Sequence, residues 1–291
     1  MRILITALFA VFCLFGCSNM EPESGNNESE SNRLTAEAEA RLSATEGGRM
    51  VLRAIEAHGG LDAWHNAETS AYIWGFVGGT RTRLVAHNRT RQVYHDILAL
   101  AGEAVQDGAQ MAWDGSDAWI YPDSLMGMAN PRFMTTTGYY FQSIPFVLAD
   151  PGLHYEALAP ALLDSIEHQM VRVTFEDGIG DAYGDHYTLY IHPETYMVSA
   201  LRYRSTFGRG RPTIDENMRE TLLYYKDYVT VDGLTTPTRF EGYGFSEGAK
   251  GNQYYSAESS EHSFSAPFDT TRLVMPDGGR VQSMPPAAGE Q

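Results

Sequence analysis

The sequence predicts a mainly β (α+β) protein in which one long antiparallel sheet is accompanied by a few helices. The main observation is a change of hydrophobic period. Beyond about residue 70 the apolar residues alternate, and turn pairs such as Asp114-Gly115 and Asp232-Gly233 separate the alternating segments. Aromatic residues make up 12% of the chain, a content that favours strands over a helical bundle.

The chain begins with a short apolar run, residues 3–16, behind the basic residue Arg2. A membrane-spanning helix needs about 20 predominantly apolar residues, so this run is too short to span and is typical of a secretory signal. It ends in "LFGC", which resembles the lipobox of bacterial lipoproteins, where the cysteine becomes the acylated N-terminus. Residues 1–16 are therefore predicted to be a lipoprotein signal peptide and Cys17 a lipidation site. The alternative is an ordinary signal peptide cut elsewhere, with Cys17 left as a free thiol.

A polar, acidic stretch follows Cys17 and predicts a tether. It contains too little apolar surface to fold, so residues 17–44 are expected to be a lipidated cysteine on a flexible acidic tether. A single domain then covers residues 45–279, and the small, proline-rich residues 280–291 are expected to be a disordered tail. The chain has two cysteines, one of them inside the signal, so the mature domain is expected to have no disulfide.

The charge balance excludes one class of partner. The chain has 21 basic and 37 acidic residues, a formal net charge of −16. A surface of this sign repels nucleic acid and anionic lipid headgroups. The expected contacts are the membrane, through a lipid on Cys17, and a hydrophobic ligand or an envelope partner of unknown identity.

Helices are predicted at two places in the chain. Residues 35–58 have an apolar helical face that Gly59-Gly60 ends, because glycine readily adopts the left-handed conformation that terminates a helix. Residues 137–152 have helical spacing and end at Asp150-Pro151-Gly152. A second inserted helix is predicted over residues 159–165.

Strands are predicted over most of the remainder. Residues 71–77 alternate and are apolar on both sides, so this strand is expected to be covered on both faces or to line a cavity. Asp232-Gly233 predicts a tight hairpin between two long strands. The other predicted strands are residues 81–87, 91–97, 110–113, 117–121, 168–176, 186–192, 197–204, 221–229 and 236–245.

Several segments resemble the LolA/LolB-type half-barrel superfamily. "AWDGSDAWIYP" is similar to a strand pair of that superfamily, and "YKDYVTVDGLTTPTRFEGY" is similar to its late hairpin. "IEAHGGLDAWHNAET" and "YYFQSIPFVLADPG" resemble an uncharacterised family of bacterial outer-membrane-type lipoproteins in that superfamily. The resemblance implies a long curved sheet that forms a half-barrel around an N-terminal helix and one or two inserted helices. It also implies a Gram-negative cell envelope, at the periplasmic face of the outer membrane, and it supplies no activity.

The motifs that suggest catalysis or metal binding are incomplete. "GFSEG" places Ser246 in a Gly-x-Ser-x-Gly pattern, but a serine hydrolase of this kind needs a helix after the serine, and the residues that follow read as loop and strand. His186 and His192 share a strand face but are about 20 Å apart, too far for one ion to bridge. No catalytic residue, metal site or cofactor is therefore predicted, and a hydrolase using Ser246 stays as an alternative.

The aromatic content is the feature with functional potential. If the helices leave part of the half-barrel open, its concave face would bind an acyl chain or another hydrophobic ligand. The alternative is a structural or interaction lipoprotein whose concavity is filled by its own side chains. The side of strand 71–77 that carries Trp74 is expected to meet the inserted helix. The cavity candidates are Tyr72, Trp74, Phe76, Trp113, Trp119, Tyr140, Ile144 and Val147.

Overall fold

The computed structural model describes residues 24–176, 186–204 and 220–282, and the predicted signal peptide and Cys17 lie outside them. No described helix combines the length and the apolar character that a membrane span requires. The helices are α1 (Ser24–Ser43), α2 (Glu46–Ala57), α3 (Gly60–Asn66) and α4 (Pro131–Gln142), with 3-10 turns at Asp123–Leu125, Phe146–Ala149 and Thr270–Leu273. The strands are β1 (Thr69–Phe76), β2 (Arg81–His87), β3 (Val93–Leu100), β4 (Glu103–Ala104), β5 (Gln110–Trp113), β6 (Ala118–Tyr121), β7 (Leu153–Leu163), β8 (Ile166–Phe175), β9 (His186–Ile191), β10 (Val198–Tyr203), β11 (Glu220–Val231), β12 (Leu234–Ser246), β13 (Ala249–Ser263) and β14 (Arg280–Gln282).

These strands form one antiparallel sheet that does not close on itself. From one edge to the other the order is β14-β6-β5-β3-β2-β1-β13-β12-β11-β10-β9-β8-β7, and β4 pairs with β3 beside this path. Most neighbours in the sheet are also neighbours in the chain, whereas β1 pairs with β13 and so joins an early strand to a late one. The predicted mainly β class, a long antiparallel sheet in a half-barrel with a few helices, is confirmed.

The hairpin between β11 and β12 forms as predicted because of its two turn residues. Asp232 and Gly233 both have positive φ, 49° and 82°, which a type I′ turn requires and which aspartate and glycine tolerate. Gly59, itself at φ 122°, lies against this turn, and a Cβ there would come within 2.3 Å of the Gly233 carbonyl oxygen. The Thr235 amide also donates to the His58 carbonyl at 2.7 Å. The end of α2 is thus fixed to the sheet at this turn.

The main core lies between the concave face of the sheet and the segments α2, α3 and Phe146–Ala149. Ile55 of α2 and Leu148 are fully buried, and Phe240 of β12 is 1% exposed. Trp64 of α3 stacks on the ring of Phe146, with centroids 4.9 Å apart. Each such side chain contributes about 1.5–3 kcal/mol through removal from water. The protein's own side chains therefore fill this part of the concavity.

The structure corrects part of the predicted tether. Ser24–Ser43 is not flexible chain but the helix α1, which packs on α2 and α3. Ala38 and Leu42 belong to the main core and are 1% and 0% exposed. With Ser31 and Thr35, which are also buried, they recur at helical spacing. Two of the four side chains are small and polar, so the apolar stripe is too weak to stand out in an acidic stretch.

The predicted helix 35–58 is divided into α1 and α2 by a cap. Thr45 has an extended backbone, and its hydroxyl accepts a hydrogen bond from the Gly48 amide at 3.0 Å, so it starts α2. A Cβ on Gly48 would lie 2.2 Å from the Leu42 carbonyl oxygen. The sharp connection between the two helices therefore requires glycine at this position.

Two shorter segments also differ from the prediction. Residues 159–165, predicted as a helix, belong to β7 and to the turn after it. That turn is formed by Asp164 and Ser165, with φ of 47° and 73°, and because it contains no glycine it gives little sequence signal of a hairpin. Arg280–Gln282, predicted to begin the disordered tail, form β14 and pair with β6.

Candidate functional site

Helix α4 crosses the concave face of the sheet over β1, β3, β5 and β6. Asn130 caps its start through a side chain that accepts a hydrogen bond from the first turn. His95 on β3 donates from Nε2 to the Thr135 carbonyl at 3.1 Å. At the end of the helix, Gln142 donates to the Thr236 hydroxyl at 2.5 Å. Polar contacts to the sheet therefore hold α4 near its start and at its end.

The predicted contact between β1 and the inserted helix is present. Tyr72, Trp74 and Phe76 share the concave side of β1, where they join the main core. The Tyr72 hydroxyl donates to the Gly138 carbonyl at 3.4 Å. A Cβ on Gly138 would lie 3.3 Å from the Trp74 ring. Glycine at this position thus lets the middle of α4 approach the indole closely.

The inserted segment is not the single helix that was predicted. α4 ends at Gln142, and the 3-10 turn Phe146–Ala149 follows after a short connection. Ile144 and Val147 are each 1% exposed, whereas Tyr140 is only partly buried. Ile144 and Val147 therefore fill the concavity, and Tyr140 lies at its edge.

The two tryptophans predicted for the cavity on β5 and β6 lie on opposite faces of the sheet. Trp113 faces α4, where the Arg132 guanidinium lies 3.6 Å from the centre of its ring. Trp119 lies on the convex face, 2% exposed, and its indole nitrogen donates to the Leu273 carbonyl at 2.8 Å. The prediction that Trp119 lines the cavity is therefore wrong. Its neighbour Ile120 takes the concave side of β6, as alternation along a strand requires.

A group of half-buried aromatic side chains lines the edge of the concavity beside α4, and we call it the mouth cluster. Its rings contact one another across strands that are far apart in the sequence. The ring centroids of Phe141 and Tyr203 are 4.8 Å apart, and those of Phe76 and Tyr255 are 5.5 Å apart. Each of these residues is partly buried. The members are Trp74, Phe76, Tyr140, Phe141, Phe175, Tyr187, Tyr203 and Tyr255.

A crevice opens between α4 and the strands β1, β2 and β5, next to the mouth cluster. Its empty volume is about 290 Å³, including space that is open to solvent. The cavity volume proper is only about 20 Å³, which is room for a single water molecule, whereas pockets that enclose small ligands measure about 300–1,000 Å³. An acyl chain would therefore enter only if the side chains that line the crevice moved. Its lining consists of Trp74, Phe76, Thr80, Thr82, Met111, Phe133, Met134 and Thr137.

Several buried polar atoms among the described residues have no hydrogen-bond partner, including Nε2 of His58 and Oε1 of Gln142. Two others are donors on aromatic side chains of the sheet. They are the indole nitrogen of Trp74 and the hydroxyl of Tyr225, and both are buried. The rings of both residues contact Phe240, with centroids 6.5 and 5.4 Å from it. Burial raises the pKa of Tyr225 well above its usual value, and neighbouring phenols add to this effect. The Tyr225 hydroxyl therefore keeps its proton and remains able to donate.

The surroundings of the mouth cluster disfavour charge. Burial also raises the pKa values of Tyr140 and Tyr255 well above the usual value of a phenol. The charge of Arg91 acts on Tyr140, but this guanidinium is paired with Asp150, whose two oxygens both lie 2.6 Å from Nη2. An apolar, uncharged group therefore suits this site better than an ion.

The context of Ser246 does not match a hydrolase. Ser246 is the last residue of β12, and a tight turn at residues 247–248 leads directly into β13. The strand–turn–helix that the Gly-x-Ser-x-Gly motif requires is therefore not formed here. In the described part of the chain, no three His, Cys, Asp or Glu side chains are grouped so that they could hold a metal ion. His186 is instead paired with Glu220 at 3.1 Å.

Sequence reasoning found only part of the mouth cluster. Trp74, Phe76 and Tyr140 were among the candidates, whereas the aromatic residues of β8, β9, β10 and β13 were not. Alternation along a strand predicts which face each residue takes. It does not reveal which strands pair, and the cluster depends on pairings such as Tyr187 opposite Tyr203.

Comparison with known proteins gives structural likeness without a sequence match. No protein-family profile and no curated protein sequence matches the chain. A LolA superfamily protein from Nitrosomonas europaea has 12% identity and a TM-score of 0.48, over 80% of this chain and 99% of its own. An outer membrane lipoprotein-sorting protein domain from Vibrio parahaemolyticus has 10% identity and a TM-score of 0.43, over 85% of this chain and 97% of its own. A DUF1329 family protein from Desulfovibrio piger has 12% identity and a TM-score of 0.40, over 78% of this chain and 97% of its own.

The first of these structures carries the name of the superfamily that the sequence motifs resemble. Because the identities are only 10–12% and the TM-scores are 0.48 or lower, no ligand, activity or partner follows for this chain. The function has to be argued from the site itself.

Proposed function

We propose that this protein binds a hydrophobic ligand, the acyl chain of a lipid, in a half-barrel held at the cell envelope. The observation that carries the proposal is the mouth cluster beside the crevice. Partly buried aromatic rings contact one another there, and Trp74 and Phe76 belong both to that cluster and to the crevice lining. Ligand sites are concave and lined mainly by hydrophobic and aromatic side chains. The acyl chain would enter across the mouth cluster and lie between α4 and β1.

The crevice can be tested by filling it. Thr137 lines the crevice, whereas its neighbour Thr136 lies outside the lining and donates its hydroxyl to the Arg132 carbonyl at 3.0 Å. We expect Thr137→Phe to weaken binding of a fluorescent acyl probe by about tenfold, because the added ring and the chain compete for the same volume. Thr136→Phe is the control and should bind like wild type. Equal binding by wild type and Thr137→Phe would remove the crevice from the proposal.

The location belongs to the same proposal. We place the protein at the periplasmic face of the outer membrane of a Gram-negative bacterium, anchored by lipid on Cys17. The support is the short apolar run that ends in "LFGC". Wild type should partition into the detergent phase after processing, and Cys17→Ala should stay in the aqueous phase or remain unprocessed. Processed wild type in the aqueous phase would contradict the anchor.

The second candidate is an interaction lipoprotein that takes no ligand. The packed core favours it, because Ile144 and Val147 fill the concavity that a carrier would keep open. Native purification followed by mass spectrometry of extracted lipid separates the two functions. A co-purifying acyl lipid, together with probe binding that Thr137→Phe weakens, supports the ligand-binding function. An empty protein that takes up no probe supports the interaction lipoprotein.

A further inference from the structure

The unpaired donors of Trp74 and Tyr225 differ from two other buried aromatic donors of this protein. More than about nine in ten buried polar groups in proteins have a hydrogen-bond partner. Here the indole nitrogen of Trp119 donates to the Leu273 carbonyl at 2.8 Å, and the hydroxyl of Tyr228 donates to the Val198 carbonyl. The indole nitrogen of Trp74 and the hydroxyl of Tyr225 have no such partner.

One of the two unpaired atoms belongs to a residue that lines the crevice, and the other lies one ring away from it. Trp74 belongs to both the mouth cluster and the crevice lining. Tyr225 lies on the other side of Phe240, in contact with its ring. An indole N–H can only donate, so the group that pairs with Trp74 has to be an acceptor. A buried donor that is left unpaired costs stability, and a ligand that supplies an acceptor recovers that loss on binding.

We propose that the ligand carries a neutral acceptor, an ester or a ketone group, that takes hydrogen bonds from Trp74 and Tyr225. The proposal rests on the binding of a hydrophobic ligand argued above, and it names the chemical class of that ligand. A plain hydrocarbon would leave both donors unpaired. A free carboxylate would accept hydrogen bonds but would bring a charge.

The charge of the site separates an ester from a carboxylate. Moving a carboxylate out of water is unfavourable unless a cation compensates it. The rings that contact Trp74 and Tyr225 are uncharged, and the guanidinium of Arg91 is already paired with Asp150. The raised pKa of Tyr225 shows that burial works against negative charge at this position. The ester of a fatty acid therefore fits the site better than the free acid.

The experiment measures displacement of a fluorescent acyl probe by three competitors of equal chain length: a fatty acid methyl ester, the free fatty acid at neutral pH, and the alkane. Wild type is expected to bind the ester at least about tenfold more tightly than the alkane, because each of the two hydrogen bonds adds to the affinity. It should also bind the ester more tightly than the free acid. The double variant Trp74→Phe/Tyr225→Phe keeps both rings apolar and should bind ester and alkane equally.

The matched control is the double variant Trp119→Phe/Tyr228→Phe, which makes the same two changes at donors that already have partners. It should keep the preference for the ester. Stability gives a second readout. Tyr225→Phe should unfold at a urea concentration no lower than wild type, because it removes an unpaired group, whereas Tyr228→Phe should unfold at a lower concentration.

Each other outcome has a definite meaning. If wild type binds ester and alkane equally, the acceptor is not part of recognition and this inference fails while the proposed function stands. Tighter binding of the free acid would overturn the choice of a neutral group. If no acyl probe binds wild type, the inference and the proposed function fail together. A lower urea midpoint for Tyr225→Phe would show that its hydroxyl serves the fold.

Discussion

Acid should destabilise this protein through two buried histidines, one of which holds α4. His95 connects β3 to α4: it pairs with the Thr82 hydroxyl at 3.0 Å and with the Thr135 carbonyl at 3.1 Å. His58 ends α2, with Nδ1 paired to the Ala54 carbonyl at 2.7 Å. Burial lowers the pKa of both histidines from 6.5 to about 4, and a backbone hydrogen bond opposes this in each case. Between about pH 4 and pH 6.5, both imidazoles are therefore neutral in the folded protein and charged in the unfolded chain.

The sign and size of the effect follow from these values. Between about pH 6.5 and pH 4 the unfolded chain binds more protons at these positions than the folded protein does, so stability falls as pH falls. A folded pKa of about 4 against an unfolded pKa of 6.5 corresponds to a loss of about 2 kcal/mol per histidine between pH 7 and pH 5. Burial also lowers the pKa of His65, His87, His168 and His262, which act in the same direction.

The assay is urea unfolding of wild type and of His95→Gln at a series of pH values from about pH 7 to about pH 5. Glutamine can still donate to the Thr135 carbonyl and accept from the Thr82 hydroxyl, but it does not titrate. We expect the variant to lose about 2 kcal/mol less than wild type over the interval. His154→Gln is the control, because that side chain is 66% exposed, and it should keep the wild-type slope. An unchanged slope in His95→Gln would refute the argument that His95 is held neutral by burial.

Two further predictions test the packing around the sheet. Leu42→Ala should lower the free energy of unfolding by about 2–5 kcal/mol, because Leu42 is fully buried in the core. The control Glu39→Ala changes an exposed side chain of the same helix and should alter the free energy of unfolding by less than about 0.5 kcal/mol. Equal effects of the two changes would mean that α1 is not part of the domain. Gly242→Ala should cost about 1–3 kcal/mol, because its Cβ would lie 2.0 Å from the ring of Tyr255. The control for that change is Gly127→Ala, where a Cβ would meet nothing within 4 Å. Urea unfolding measures both pairs, and a neutral Gly242→Ala would contradict the packing of that ring.

The strands could be predicted because their signals are local. Residues 110–113 were predicted and form β5 with the same bounds. The turn at Asp232-Gly233 was predicted from two residues that favour positive φ, and both have it. Alternation and turn chemistry act over a few residues, so a single sequence contains them in full.

The missed elements lacked a local signal. The turn after β7 uses Asp164 and Ser165 at positive φ, and without a glycine the apolar residues before it resemble a helix. The buried face of α1 consists of alanine, leucine, serine and threonine. This face is too polar to stand out as an apolar stripe in the sequence, and it is buried because α2 and α3 pack on it. In both cases tertiary contacts complete what the local pattern leaves undecided.

The candidate site was predicted in part for a related reason. Alternation placed Tyr72, Trp74 and Phe76 on one face of β1, and that face is the concave one. The same rule cannot say which face of β6 is concave, because that depends on how β6 pairs with β5, where Ala112 lies opposite Trp119. Trp119 was therefore assigned to the wrong side. Pairing between distant strands is a property of the assembled sheet and is not contained in any one strand.

Helices α2 and α4 both cover the concave face, but they contact the sheet through different groups. This difference bears on where a ligand would enter. A Cβ on Gly47 of α2 would lie 2.9 Å from the backbone of Tyr155 on β7, so helix and strand are in direct backbone contact there. At the middle of α4, the corresponding contact of Gly138 is with the ring of Trp74. A side chain can change its rotamer on a far shorter timescale than packed backbone can separate. If the half-barrel takes a ligand, the side chains beneath α4 therefore make way for it, and the end closed by α2 stays shut. The indole of Trp74, whose nitrogen has no partner, is one of the side chains beneath α4.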